Sequence, residues 1–238
     1  MGIQTVFKRY ELKFLLTAAQ KVRLIPEIEK YMQLDKYGRT LIKNLYFDTD
    51  TYRLIRRSLE KPDYKEKLRI RSYGDTCPEG TVFVELKKKY NGVVYKRRIP
   101  LKEQDAMAWL CGCAAAPDTQ IAREISYFTG YYETLHPTVF LSYEREAYYC
   151  RDGSDFRVTF DDTILCREDD LSLCSDARGT PLLPEGFVLM ELKCPGGIPM
   201  WMTSLLSRER LYKTSFSKYG TAYQNIIFTN QKESISNV

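Results

Sequence analysis

Long basic side chains recur at every second residue in several short segments of this 238-residue chain, and that period of two constrains the fold more than any other feature. Residues two apart in an extended strand share a face. In Lys67-Leu68-Arg69-Ile70-Arg71 the cations therefore lie opposite Leu68 and Ile70. In Val82-Phe83-Val84-Glu85-Leu86-Lys87-Lys88-Lys89, the residues Phe83, Glu85, Lys87 and Lys89 lie opposite Val82, Val84 and Leu86. Lys96 and Arg98 repeat the pattern, as do Tyr143 and Arg145, then Arg157, Thr159 and Asp161, then Glu191 and Lys193. A sheet with one solvated face is the plainer explanation. Against it, these positions concentrate charge instead of mixing in Ser, Thr, Asn and Gln, and several are Arg, whose planar fork suits phosphate oxygens. The expected fold class is α+β: a closed antiparallel β-barrel, charged face inward, with helices packed outside over its apolar face. An interior lined in this way repels itself unless an anion fills it, and a polyanion is the natural filler.

Composition narrows the chemistry. The 36 Lys and Arg against 31 Asp and Glu give a net charge of +5, compatible with an anionic ligand, a nucleic acid or a membrane surface. The seven cysteines, Cys77, Cys111, Cys113, Cys150, Cys166, Cys174 and Cys194, are odd in number and contain no CxxC pair, which points to reduced packing thiols rather than a disulfide framework or a zinc site. A single histidine, His136, stands before Pro137, so any active site must run on Lys, Arg and carboxylates. The start of the chain has no apolar run of signal-peptide type, and no segment approaches the roughly 20 apolar residues that span a bilayer. A cytoplasmic protein without a membrane span of its own is expected, as one domain over residues 1–230 with a poorly ordered tail at 231–238.

Strands are expected at residues 11–16, 41–48, 67–73, 81–89, 93–101, 137–150, 156–166 and 187–193, with a hairpin at Asn91-Gly92. Helices are expected from an N-cap at Thr17 to about Met32, and at 105–113, 119–135, 200–211 and 218–228. Residues 169–186 read as a surface loop, and Tyr127, Tyr131 and Tyr132 as helix-packing residues. Lys88, out of phase with its neighbours, is expected to point outward.

Glu11, Glu85 and Glu191 each stand two residues before a lysine in a Glu-Leu-Lys triplet. Such a Glu either pairs with Lys across the barrel or holds Mg²⁺ or Mn²⁺ beside a phosphate, since these hard ions bridge carboxylate and phosphate oxygens.

Nine blocks in order resemble the VTC domain, the polyphosphate polymerase module of the triphosphate tunnel metalloenzyme superfamily. They are Arg9-Tyr10-Glu11-Leu12-Lys13-Phe14, Leu45-Tyr46-Phe47-Asp48, Lys67 to Gly74, Val84-Glu85-Leu86-Lys87, Lys96-Arg97-Arg98, Tyr143-Glu144-Arg145, Arg157 to Asp161, Glu191-Leu192-Lys193 and Phe216-Ser217-Lys218-Tyr219, spanning about residues 8 to 220. The resemblance implies a triphosphate tunnel that takes ATP or another nucleoside triphosphate and transfers its terminal phosphoryl group to polyphosphate or pyrophosphate, with Mn²⁺ or Mg²⁺ as cofactor. By motif position it assigns Lys13, Arg69, Arg71, Lys87, Lys96, Arg145, Arg157 and Lys218 to the catalytic grip. Tyr143, Arg98 and Lys193 join as phosphate-binding residues, and Glu191, with Glu85 and Glu11, as metal carboxylates. Hydrolase branches of the superfamily open with Glu-x-Glu-x-Lys, and here Arg9 replaces the first Glu.

Alternatives are a metal-dependent triphosphatase and a non-catalytic module for polyphosphate or inositol phosphates. Nucleic acid is disfavoured because it calls for aromatic residues interleaved with cations on an open face. The family's eukaryotic members work within membrane complexes, which leaves a membrane partner open.

Overall fold

The computed structural model describes residues 6–228, so the expectation for the tail at 231–238 lies outside the described residues. Among these residues ten strands are formed: β1 (Val6–Thr17), β2 (Met32–Asp48), β3 (Tyr64–Tyr73), β4 (Thr81–Tyr90), β5 (Val93–Lys102), β6 (His136–Cys150), β7 (Arg157–Arg167), β8 (Thr180–Pro181), β9 (Phe187–Cys194) and β10 (Lys213–Thr214). Six α-helices accompany them: α1 (Ala18–Ile28), α2 (Arg53–Leu59), α3 (Glu103–Leu110), α4 (Gln120–Tyr132), α5 (Met200–Arg208) and α6 (Lys218–Ala222), the last running into a π-helical turn at Tyr223–Ile227. Every pairing is antiparallel. Hydrogen-bonded neighbours run β1-β5-β4-β3-β2-β6-β7-β9 and return to β1, so eight strands form a ring, with β10 beside β1 and β8 beside β7.

Local chemistry explains many of the boundaries. Thr17 caps α1 in a reciprocal capping box with Gln20, and Thr119 caps α4 through Ala122 N. Asn91 and Gly92 both have positive φ, 46° and 83°, as a two-residue turn matched to strand twist requires. Three elements depart clearly from expectation, and the two-residue strands β8 and β10 were not expected either. α1 ends at Ile28, and β2 already begins at Met32, where pairing with Cys150 supplies the order that local alternation does not. α2 was not expected, because its cap is remote: the Asp48 carboxylate accepts from Leu54 N at 2.8 Å and Ile55 N at 3.0 Å.

Two apolar clusters cover the outer face of the ring. Leu68, Ile70, Val82, Val84 and Leu86 are fully buried beneath α3 and α4, with Trp109, Ile125 and Phe128 above them. Phe14, Leu16, Val158, Phe160, Met190 and Leu192 lie beneath α1 and α5, with Leu24, Ile28, Met202 and Leu205 above them. Each buried aliphatic side chain contributes roughly 1.5–3 kcal/mol, so this outer shell holds the fold. The third cluster corrects the expectation that all helices pack outside. α2 and α6 bring Ile55, Tyr219 and Ala222 against Tyr46 and Val139, which share the inner face with Asn44, so this pair covers part of the ring's interior.

Residues 169–186 are more than a surface loop. Leu173 and Leu182 are buried; Lys43 Nζ donates to Ser175 O at 2.8 Å, and the Arg167 guanidinium lies 3.6 Å from the Phe140 ring centroid while donating to four loop carbonyls. Tyr132 packs in the core, but Tyr127 and Tyr131 face solvent, 79% and 58% exposed. All seven cysteines are free thiols. Among the described residues no helix is long and apolar enough to cross a membrane.

Candidate functional site

The inner face of the ring surrounds a cavity of about 1220 Å³. Among the described residues, fourteen Lys and Arg side chains and three carboxylates line it, an excess that makes it an electrostatic trap for anions. A second concavity, of about 740 Å³, lies outside the ring between β5 and α4 and is lined mainly by apolar groups, so the chemistry does not gather there.

Four carboxylates brace the inner cations. Glu85 on β4, with no exposed surface, accepts from Arg69 Nε at 2.9 Å and Nη2 at 2.7 Å, and from Lys96 Nζ at 2.9 Å; Arg71 Nε is 3.9 Å away. Asp161 on β7, equally buried, accepts from Arg145 Nε and Nη2 at 2.6 and 2.7 Å and from Lys218 Nζ at 2.5 Å. Glu191 on β9 has Lys193, Lys13, Lys218 and Arg145 at 3.1, 3.3, 3.4 and 3.6 Å. Glu11 on β1 accepts from Lys87 Nζ at 2.7 Å. Lys218 reaches this group because α6 is fixed by its neighbours: Ser217 Oγ accepts from Lys67 Nζ at 3.0 Å, and Tyr219 donates to Asp48 at 2.9 Å and stacks on Tyr46.

Aromatic hydroxyls complete the wall. Arg69 Nη1 donates to Tyr46 Oη at 2.8 Å; Arg71 donates to Asn44 Oδ1 and Tyr143 Oη, each at 2.9 Å. The Tyr143 ring also carries Lys218 Nζ at 4.5 Å and the Arg145 guanidinium at 5.1 Å from its centroid.

Burial pushes Glu191 upward, but Lys218, Lys193, Lys13 and Arg145 outweigh it and hold the carboxyl well below its ordinary range. Glu85 is likewise lowered, burial being outweighed by Arg71, Arg69 and Lys96, and Glu11 is lowered chiefly by Lys87 against its burial. Among the cations the outcome divides. Burial drives Lys193 and Lys67 well down, and Lys96 down to about 7 despite the attraction of Glu85. Lys218 is raised, because Asp161 and Glu191 overcome its burial.

The structure thus brings together Lys13, Arg69, Arg71, Lys87, Lys96, Tyr143, Arg145, Glu11, Glu191, Lys193 and Lys218 on one cavity wall. Two expected phosphate contacts lie elsewhere. Arg98 stacks over Phe83 at 4.7 Å, beyond the Glu85 layer, and Arg157, at the start of β7, is half exposed and pairs with Asp155 at 3.4 Å. Glu85 is adjacent but does not line the cavity. Sequence reasoning assigned no role to Asp161, whose place on the inner face was legible, or to Arg9, Tyr46 and Lys67, which also line the wall.

Among the described residues no three His, Cys, Asp or Glu side chains form a ready-made metal cluster. Glu11 and Glu191, however, both open on the cavity, and the Glu191 charge works to raise the Glu11 pKa against the pull of the lysines. That donor set fits Mg²⁺ or Mn²⁺ held by one or two carboxylates, with phosphate oxygens and water completing the shell.

Comparison with solved structures places the fold. The chain superposes on a candidate adenylate cyclase from Bacillus halodurans with a TM-score of 0.57 at 16% identity, covering 90% of this chain and 96% of that one. It superposes on a Hippeastrum protein with a dominant triphosphatase activity with a TM-score of 0.54, again at 16% identity, covering 89% and 93%. No curated protein matches the sequence. The VTC domain family model matches residues 8–227, and the chain belongs to that family.

Proposed function

We propose that this chain transfers the terminal phosphoryl group of ATP, or another nucleoside triphosphate, to pyrophosphate or a growing polyphosphate, inside a tunnel formed by the strand ring. The observation that carries this reading is the single cavity in which fourteen cations meet three carboxylates. Phosphoryl transfer passes through a loose transition state with charge spread over equatorial oxygens, so fixed cations and donors supply most of the catalysis. Lys13, Lys87, Arg69, Arg71 and Lys96 bind phosphate oxygens from one side of the cavity, and Arg145, Lys193 and Lys218 from the other. Glu85 and Asp161 hold the arginines in fixed rotamers, so little reorganisation remains at the moment of reaction. Tyr143, which accepts from Arg71, keeps its own proton to donate. Glu191 and Glu11 would hold Mg²⁺ or Mn²⁺, which neutralises charge across adjacent phosphate oxygens when bound.

The competing reading is hydrolysis, the activity named for the Hippeastrum neighbour. It needs a water activated by a base or by the metal; Glu11 and Glu191 are tied to lysines and held below their ordinary range, which makes them poor bases and would leave that activation to the metal. A phosphate acceptor is already ionised at neutral pH and needs no base.

The test is incubation with ATP, Mg²⁺ or Mn²⁺ and a pyrophosphate primer, following polymer on a gel and free phosphate by colorimetry, beside Glu191→Ala. Polymer in the wild type and none in the variant is the expected result. Free phosphate without polymer would move the chain to the hydrolases, and neither product would leave a binding module.

A further inference from the structure

The same two strands treat charge in opposite ways on their two faces. Where β3 and β4 approach the Asn91-Gly92 hairpin, Glu66 stands opposite Lys88 on the outer face, and the two pair at 3.5 Å. One residue to either side, on the inner face, Lys65 stands opposite Lys89 and Lys67 opposite Lys87, which in turn faces Lys96 on β5. Like charges directly across a ladder are destabilising, so consecutive Lys–Lys pairs are an arrangement a merely solvated edge has no reason to keep.

The deeper end of this ladder is neutralised, and the outer end is not. Lys87 pairs with Glu11 and Lys96 with Glu85. Among the described residues, Lys65, Lys67 and Lys89 have no carboxylate at ion-pair distance; Lys65 donates to Ser58 O at 3.2 Å and Lys67 to Ser217 Oγ at 3.0 Å. Lys61 adds a further charge that bears on Lys65, and Asp63, whose carbonyl accepts from Asn91 N at the hairpin, is the nearby carboxylate among the described lining residues. The pKa of Lys65 is lowered by burial and by Lys89 and Lys61, so the cluster stands under its own repulsion.

We propose that the Lys65/Lys89 end of the ladder is a separate subsite for the part of a linear inorganic polyphosphate that extends beyond the phosphates gripped within, and that it makes the protein prefer long chains over triphosphate. This rests on the proposed function, since it assigns the ladder a portion of the same ligand. A chain leaving the carboxylate-braced inner set along β3 and β4 meets cations with no competing anion. Each contact is charge-assisted, and its strength falls with salt.

The experiment is equilibrium binding of tripolyphosphate and of a long linear polyphosphate to wild type, to Lys65→Gln/Lys89→Gln, and to a control, Lys36→Gln/Lys88→Gln, that removes the same charge away from the cavity. In wild type the long chain binds more tightly than tripolyphosphate. In the ladder variant the ratio of the two affinities falls by about tenfold or more, a charge-assisted contact being worth roughly that factor, while the control keeps it within about twofold. Because repulsion is relieved, the ladder variant without ligand melts no lower than wild type, which separates lost binding from lost fold. An unchanged ratio in the ladder variant, or an equal fall in the control, overturns the subsite and leaves the proposed function standing. A wild type that binds neither polyanion overturns both.

Discussion

The outer and inner faces of β3 and β4 are built from alternate residues of the same twenty positions, yet they do opposite things. On the outside, Leu68, Ile70, Val82, Val84 and Leu86 are fully buried under helices, and the one charged patch, Glu66 with Lys88, is paired. On the inside, Arg69, Arg71, Lys87 and, from β5, Lys96 crowd around two carboxylates, Glu85 and Glu11, while Lys67 has none at ion-pair distance among the described residues. The outer face stores the folding free energy that lets the inner face stay preorganised and under electrostatic strain. Removing a group from the outside should therefore damage stability first, and removing one from the inside should damage binding first.

The largest effect is expected outside. Leu68→Ala deletes buried methyl groups in a close-packed layer and is expected to cost about 2–5 kcal/mol by denaturant titration. A loss under 1 kcal/mol would mean that the outer layer does not carry the fold. A smaller effect is expected inside. Lys67→Met removes a half-buried cation that lacks a carboxylate partner and also its bond to Ser217, and is expected to leave stability within about 1 kcal/mol while weakening tripolyphosphate binding. Equal losses of both would erase the distinction between the faces.

The smallest effect concerns pH. The native pKa of Lys96, about 7, lies below the ordinary value of 10.5, so the unfolded chain binds more protons above 7. The Lys96 contribution to stability thus rises as pH increases from about 7 toward 10.5, whereas affinity for a polyanion declines over that window as the ammonium loses its charge. Binding at neutral pH should accordingly take up protons, measurable by calorimetry in buffers of different ionisation enthalpy. Lys96→Arg, which stays charged, should flatten the profile; an unchanged profile would remove Lys96 from the titrating groups.

Much of this contrast was legible in the sequence, because a strict period of two announces both faces at once. Lys67, Arg69 and Arg71 could be placed opposite Leu68 and Ile70 without a structure, and Thr17 and Asn91-Gly92 carry their own local signals. What escaped depends on partners that no local pattern announces. α2 is capped by Asp48 from the preceding strand, with Tyr52 left-handed at its N-cap, so no local cap marks it. Asp161 lay on the correct face, but its role depends on Lys218, 57 residues away. Arg157 obeyed the period yet is half exposed and outside the cavity lining, because the end of a strand offers Asp155 as a nearer anion. α6 read as a helix, but nothing local showed that Ser217, Lys218 and Tyr219 would each be fixed to a different strand of the ring.

The most direct measurement is thermal unfolding of the wild-type protein with tripolyphosphate and, at matched ionic strength, with chloride alone. A polyanion that binds only the folded ring and relieves its inner repulsion should raise Tm in a concentration-dependent way that chloride does not reproduce, following the linkage between ligand binding and stability. Equal Tm in the two solutions across the concentration range would contradict the claim that the inner face is built around a string of phosphates.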